Sequence, residues 1–127
     1  MELCGAMSVL LVDDNTTMHR ILRRQLAELG VTDVDTAPDG ATALHRLAER
    51  SYDLVISDWN MQPMSGYDLL CRVRAGDCRR DLPFLMVTAE SKTDFIMAAL
   101  RAGASSYLVK PFTKGTLRAK IETLRAA

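Results

Sequence analysis

The sequence predicts an α/β domain built as a doubly wound parallel sheet, and three observations carry that expectation. Short aliphatic or β-branched runs alternate five times with longer segments whose apolar residues recur at helical spacing, the pattern of βα units on a parallel sheet. A glycine or a turn follows each helical segment, as helix C-termini require. Four of the short runs end in a residue able to act on a phosphoryl group: Val9-Leu10-Leu11-Val12 in Asp13-Asp14, Leu54-Val55-Ile56-Ser57 in Asp58, Phe84-Leu85-Met86-Val87 in Thr88, and Tyr107-Leu108-Val109 in Lys110.

The elements follow in order. After the first run, a helix is predicted from about Thr16 to Leu29. Met18, Ile21, Leu22, Gln25, Leu26 and Leu29 share its spacing, Asn15 caps it and Gly30 stops it. Val31 to Ala37 alternates apolar and polar residues, a weak second strand. Asp39 caps a helix carrying Ala41, Leu44, Leu47 and Ala48. The Leu54 run is the third strand, and a Pro/Gly loop leads to a helix with Leu69, Leu70 and Val73. The fourth strand ends at Thr88. Its helix carries Phe95, Ile96, Ala99 and Leu100 and ends at Gly103. The last strand leads to a helix from about Thr113, with Leu117, Ile121 and Leu124. Right-handed crossovers leave few topologies. Five units fit a flavodoxin-like (βα)5 sheet of strand order 2-1-3-4-5, helices on both faces. The first and third strands are then neighbours at the topological switch point, where open α/β sheets bind their ligands.

Size and composition bound the function. At 127 residues, residues 1-127 read as a single domain that buries its core without metals or disulfides. The formal net charge is +0, which argues against a broad electrostatic grip on nucleic acid or an anionic membrane. No apolar stretch approaches the roughly 18 residues that span a bilayer. Met1 to Met7 lacks the basic and apolar regions of a secretory signal, so a cytoplasmic location is expected. Cys4, Cys71 and Cys78 are odd in number and match no metal spacing, and are expected as reduced thiols. His19 and His45 stand alone in helical patterns and are read as ordinary histidines.

A polar residue closing one strand is ordinary; four on one sheet edge ask for a common cause. Three clustered carboxylates repel, and at least one pKa rises unless a cation intervenes. Mg²⁺ takes one or two carboxylates, keeps several waters and works beside phosphate. Lys110 is redundant at a bare metal site but suits a phosphoryl group, whose oxygens an ammonium and a metal share. Thr88 adds a hydroxyl. The set points to phosphoryl transfer with a carboxylate as acceptor. A small Mg²⁺-dependent phosphatase stays open as an alternative, although no nucleophile–base pair and no Walker-type phosphate loop is present.

Here a resemblance enters. Val-Asp-Asp at 12–14, Ile-Ser-Asp-Trp-Asn-Met at 56–61, Met-Ser-Gly at 64–66, Met-Val-Thr-Ala-Glu at 86–90 and Lys-Pro-Phe-Thr at 110–113 resemble, in order and spacing, the receiver domain of two-component response regulators, above all its chemotaxis members. The resemblance implies that Asp58 takes phosphate from a histidine kinase. Asp14 and Asp58 would ligate Mg²⁺, Asp13 acting through a bound water and Asn60 through its main-chain carbonyl. Lys110 would pair with the phosphoryl oxygens, and Thr88 would sense them together with the switch residue Tyr107. Asn60 and Glu90 would tune phosphate lifetime, predicting a short-lived phosphoryl group. The Lys110–Pro111 bond is expected to be cis. One departure stands out: Met61-Gln62-Pro63 puts proline one residue later than the family pattern, so the loop beside Asp58 is expected to differ in shape or kinase contacts.

No output domain follows the last helix, so output is expected as phosphorylation-controlled binding to another protein. The resemblance places that surface on the fourth helix, fifth strand and fifth helix. Lys92, Arg101, Lys114, Arg118 and Arg125 could give it a basic character, with Glu122 blunting Arg118. The implied target is the flagellar motor switch. The alternative is a phosphorelay intermediate or phosphate sink acting on a histidine phosphotransfer protein.

Overall fold

The structure, a computed structural model, describes residues 7–77, 80–89 and 91–126, with the backbone alone for residues 77, 125 and 126. In chain order it runs β1 (Ser8–Val12), α1 (Thr16–Glu28), β2 (Asp33–Ala37), α2 (Gly40–Glu49), β3 (Leu54–Ser57), α3 (Gly66–Arg72), β4 (Phe84–Thr88), α4 (Thr93–Arg101), β5 (Ser106–Val109) and α5 (Lys114–Ala126). The strands form one sheet of order β2-β1-β3-β4-β5, every pair parallel. This is the predicted flavodoxin-like (βα)5 topology.

The central strands are apolar almost throughout because both faces are covered. Val9 and Leu11 of β1, Leu54 and Ile56 of β3, Leu85 and Val87 of β4 and Leu108 of β5 pack with Leu22 and Leu26 of α1 and Leu117 and Ile121 of α5. The alternate residues Leu10, Val12, Val55, Phe84, Met86 and Tyr107 pack on the other face with Ala43 of α2, Leu69 and Leu70 of α3 and Ala99 of α4. The period of two along each strand thus feeds two cores.

Local chemistry sets the helix ends. The Asn15 side chain accepts from the Thr17 and Met18 N–H groups at 2.9 and 3.2 Å, and Asp39 accepts from the Thr42 N–H at 2.7 Å, as predicted. Ser65 and Asp68 form a capping box on α3, a Ser-x-x-Asp signal in the sequence that the periodicity reading passes over. After Arg72 the helix widens into a π turn, Val73–Asp77, where Gly76 at φ 96° leaves the helical region, a conformation that favours glycine.

Several expectations are corrected. Ile21 and Leu100 are 41% and 42% exposed, outside the stripes that reach the sheet. On α2 the buried residues are Gly40 and Ala43, while Ala41 and Ala48 are exposed. β2 starts at Asp33 rather than Val31, although Val31 is fully buried; α5 starts at Lys114, as expected to within a residue. Gln62–Pro63 is cis as well as the expected Lys110–Pro111.

Polar side chains tie down the sheet end opposite the site. Arg74 donates to the carbonyls of Gly103, Arg80 and Leu82 at 2.9, 2.9 and 2.6 Å and to the Ser105 hydroxyl at 3.3 Å. Arg50 pairs with Asp33 and Asp35 and lies 5.0 Å from the Tyr52 ring centroid. Burial and Asp35 push the Tyr52 hydroxyl up to about 12.

Candidate functional site

The site begins as an extension of the sheet. Backbone bonds continue past the strand ends: Asp13 N–H to the Ala37 carbonyl at 3.1 Å, Asp58 N–H to Val12 at 2.9 Å, and Lys110 N–H to Thr88 at 2.9 Å. Three of the predicted residues are therefore fixed by the ladder itself: Asp13 just beyond β1, Asp58 just beyond β3 and Lys110 just beyond β5.

Their side chains converge. Asp13, Asp14 and Asp58 each offer a carboxylate oxygen within 4.8 Å of the others. Asp13 is buried and Asp14 exposed, so the cluster opens to solvent on one side. Lys110 Nζ lies 3.5 Å from Asp13 Oδ2 and 3.6 Å from Asp58 Oδ2, an ion pair shared between the two carboxylates. The Asp58 carboxyl is held above its ordinary range. Burial is the main cause and Asp13 adds to it, against the pull of Lys110 and of the Trp59 and Asn60 main-chain N–H groups. The Trp59 N–H holds Asp58 Oδ1 at 2.8 Å. An all-oxygen donor set, carrying more negative charge than one lysine balances, is what a hard divalent cation fits.

Thr88 is fully buried at the end of β4, and Tyr107, 7% exposed, lies in the core on the α2–α4 face. They sit on adjacent strands, with Thr88 paired to Val109 and Tyr107 to Met86. Asn60 is exposed two residues after Asp58. Glu90 lies outside the described residues, as do Cys4, Cys78 and most of the Met1–Met7 segment. Of the residues anticipated for a basic surface, Lys92 and Arg101 are exposed. Lys114 pairs with Glu28 at 3.2 Å and Arg118 with Glu122 at 3.2 Å, and the Arg125 side chain is not among those described.

Sequence reasoning gave no role to Gly66. A Cβ there would meet the Asp58 carbonyl oxygen at 1.9 Å, and the Gly66 N–H donates to the Trp59 carbonyl at 2.8 Å. The start of α3 thus packs directly on the backbone of the acidic strand end. Ser57 adds a buried hydroxyl that donates to the Asp58 carbonyl at 2.9 Å.

A five-stranded parallel sheet of this order carries the acid–lysine cluster at the C-terminal ends of its strands. The response regulator receiver domain family matches residues 9–122, and the chain belongs to that family. It is 48% identical over 118 residues to the chemotaxis protein CheY of Pseudomonas aeruginosa, covering 93% of this chain and 95% of that one. It is 45% identical to CheY-3 of Vibrio cholerae, covering 93% and 91%. Among solved structures, Vibrio cholerae CheY4 superposes with a TM-score of 0.86 at 33% identity, over 94% of this chain and 99% of that one. The receiver domain of a Pseudomonas aeruginosa sensor histidine kinase, solved with a magnesium ion in its active-site cleft, gives a TM-score of 0.86 at 26% identity, over 95% and 98%. The chain is a two-component signalling module, with a histidine kinase upstream and a target downstream in general terms. Among the described residues, no helix is long and apolar enough to cross a membrane.

Proposed function

We propose that Asp58 is the phosphoacceptor of a chemotaxis response regulator that signals by protein binding. The carrying observation is the meeting of Asp58, Asp13, Asp14 and Lys110 at one strand edge. An Asp58 carboxylate oxygen attacks the phosphorus of a kinase phosphohistidine. A P–O bond forms as the P–N bond breaks, and the imidazole leaves with a proton from solvent. Lys110 balances charge on the phosphoryl oxygens from its place beside Asp58, and the Trp59 N–H orients the carboxylate. Asp14 and Asp58, with Asp13 through water and the Asn60 carbonyl, would hold Mg²⁺. When bound, that ion supplies the positive charge that offsets the carboxylates and the incoming phosphoryl group. The acceptor is a residue of the chain itself and takes one phosphoryl group at a time, which supports reading the chain as a switch.

The signal leaves through Thr88 and Tyr107. Thr88 bonds the phosphoryl group, and Tyr107 of β5 follows it within the core beside α4, biasing a two-state binding surface. Likeness to chemotaxis proteins over nearly the whole chain supports the flagellar motor switch as the target. Beryllofluoride-activated protein is expected to retain a flagellar motor switch protein on a column, and Asp58→Asn treated alike is expected to retain none. Equal retention by both would overturn the motor reading. Capture of a histidine phosphotransfer protein instead would assign the chain to a phosphorelay.

A further inference from the structure

Trp59, whose main-chain N–H holds Asp58 Oδ1 at 2.8 Å, has its ring between two helices. It stacks on Tyr67, the second residue of α3, with centroids 5.3 Å apart and planes at 26°. It meets Phe95, in the first turn of α4, edge-on at 5.4 Å and 77°. Both geometries are favourable for aromatic pairs. Trp59 packs against the core of the α2–α4 face, as does Ile96, whereas Phe95 belongs to neither core cluster. The α4 N-cap, Lys92, makes no side-chain capping bond. The first turn of α4 thus meets the residue after Asp58 through an aromatic contact.

We propose that Phe95 and Tyr67 are positioning residues for the phosphoacceptor: they clamp Trp59 between α3 and α4, fix the N–H that orients Asp58, and couple the first turn of α4 to that carboxylate. The inference rests on the reading of Asp58 as phosphoacceptor. A shift of α4 moves Phe95, Phe95 moves Trp59, and the orientation of Asp58 changes with them. By linkage, a change at Asp58 bears on α4 with the same coupling free energy. Tyr67 stays stacked on the ring, so displacement of Phe95 re-aims Trp59 instead of releasing it.

The test compares wild type, Phe95→Ala, Phe95→Tyr and Tyr67→Leu, each first shown folded by circular dichroism. Phe95 is half-buried and outside the core, so its variants are expected to fold. Three quantities are read: acrylamide quenching of Trp59, the rate of Asp58 labelling by acetyl phosphate with Mg²⁺, and the change in α4 amide exchange on beryllofluoride addition. Phe95→Ala is expected to raise quenching, slow labelling by roughly two- to tenfold, and lose most of the α4 response. Phe95→Tyr, which keeps the ring, should restore all three, and Tyr67→Leu should slow labelling while keeping part of the α4 response. Wild-type labelling and a wild-type α4 response in Phe95→Ala would overturn the proposal. Absence of label on wild-type Asp58 would instead overturn the phosphoacceptor reading, so the two failures are told apart.

Discussion

At Asp58, burial and Asp13 raise the carboxyl pKa more than Lys110 and two main-chain N–H groups lower it. The folded protein therefore binds this proton more tightly than the unfolded chain does. Stability is lost as pH rises through the raised folded pKa, and the ionised carboxylate works against the fold at neutral pH. Asp58→Asn is expected to raise the melting temperature of the metal-free protein at neutral pH. The gain should shrink on acidification and vanish below the ordinary value of 3.8. Thermal melts in chelator across that range measure it. Asp58 and Lys110 were legible in the sequence because each follows an apolar run that only a strand explains. Gly66 was not, because the reason for it is the Asp58 carbonyl, brought close by the turn into α3.

Among the elements, strands were read to within a residue or two because apolar runs buried on both faces leave little ambiguity. Helix faces were read less well. Ile21 and Leu100 fit the helical spacing yet stay exposed, since spacing defines a stripe but not how much of it the sheet covers. The π turn after α3 had no sequence signal beyond Gly76. Its consequence is Arg74, aimed at the loops that precede β4 and β5. Arg74→Ala leaves several carbonyls without their charged donor and is expected to cost about 2–3 kcal/mol in denaturant unfolding. Because those bonds lie at the far end of the strands from Asp58, Mg²⁺ affinity should stay at its wild-type value. A weakened Mg²⁺ affinity in that variant would mean the two sheet ends are coupled.

The whole molecule divides its labour between the two ends of one sheet. The N-terminal edge is stapled by Arg50, Asp33, Asp35 and Arg74. The C-terminal edge gathers three carboxylates that Lys110 balances only in part, and a divalent cation would offset the rest. A ligand bound only by the folded state stabilises it by mass action. Titrating Mg²⁺ into the metal-free protein should therefore raise its melting temperature, reaching about 2.7 kcal/mol at a hundredfold excess over Kd. Asp58→Asn should respond far less, and an equal response would remove Asp58 from the metal site. Topology and the identity of the acidic cluster were legible from residue order, since alternating units at a switch point leave few arrangements. The placement of the aromatic clamp and the pairing of Lys114 with Glu28 were not, because both join elements far apart in sequence.

The central claim is that Asp58 accepts one phosphoryl group, and intact-protein mass measurement after incubation with a phosphorylated histidine kinase tests it most directly. With Mg²⁺ present, one phosphoryl group per chain should appear on a peptide containing Asp58, be absent from Asp58→Asn, and disappear when chelator precedes the kinase. Labelling at another residue, or undiminished labelling of Asp58→Asn, would contradict the account.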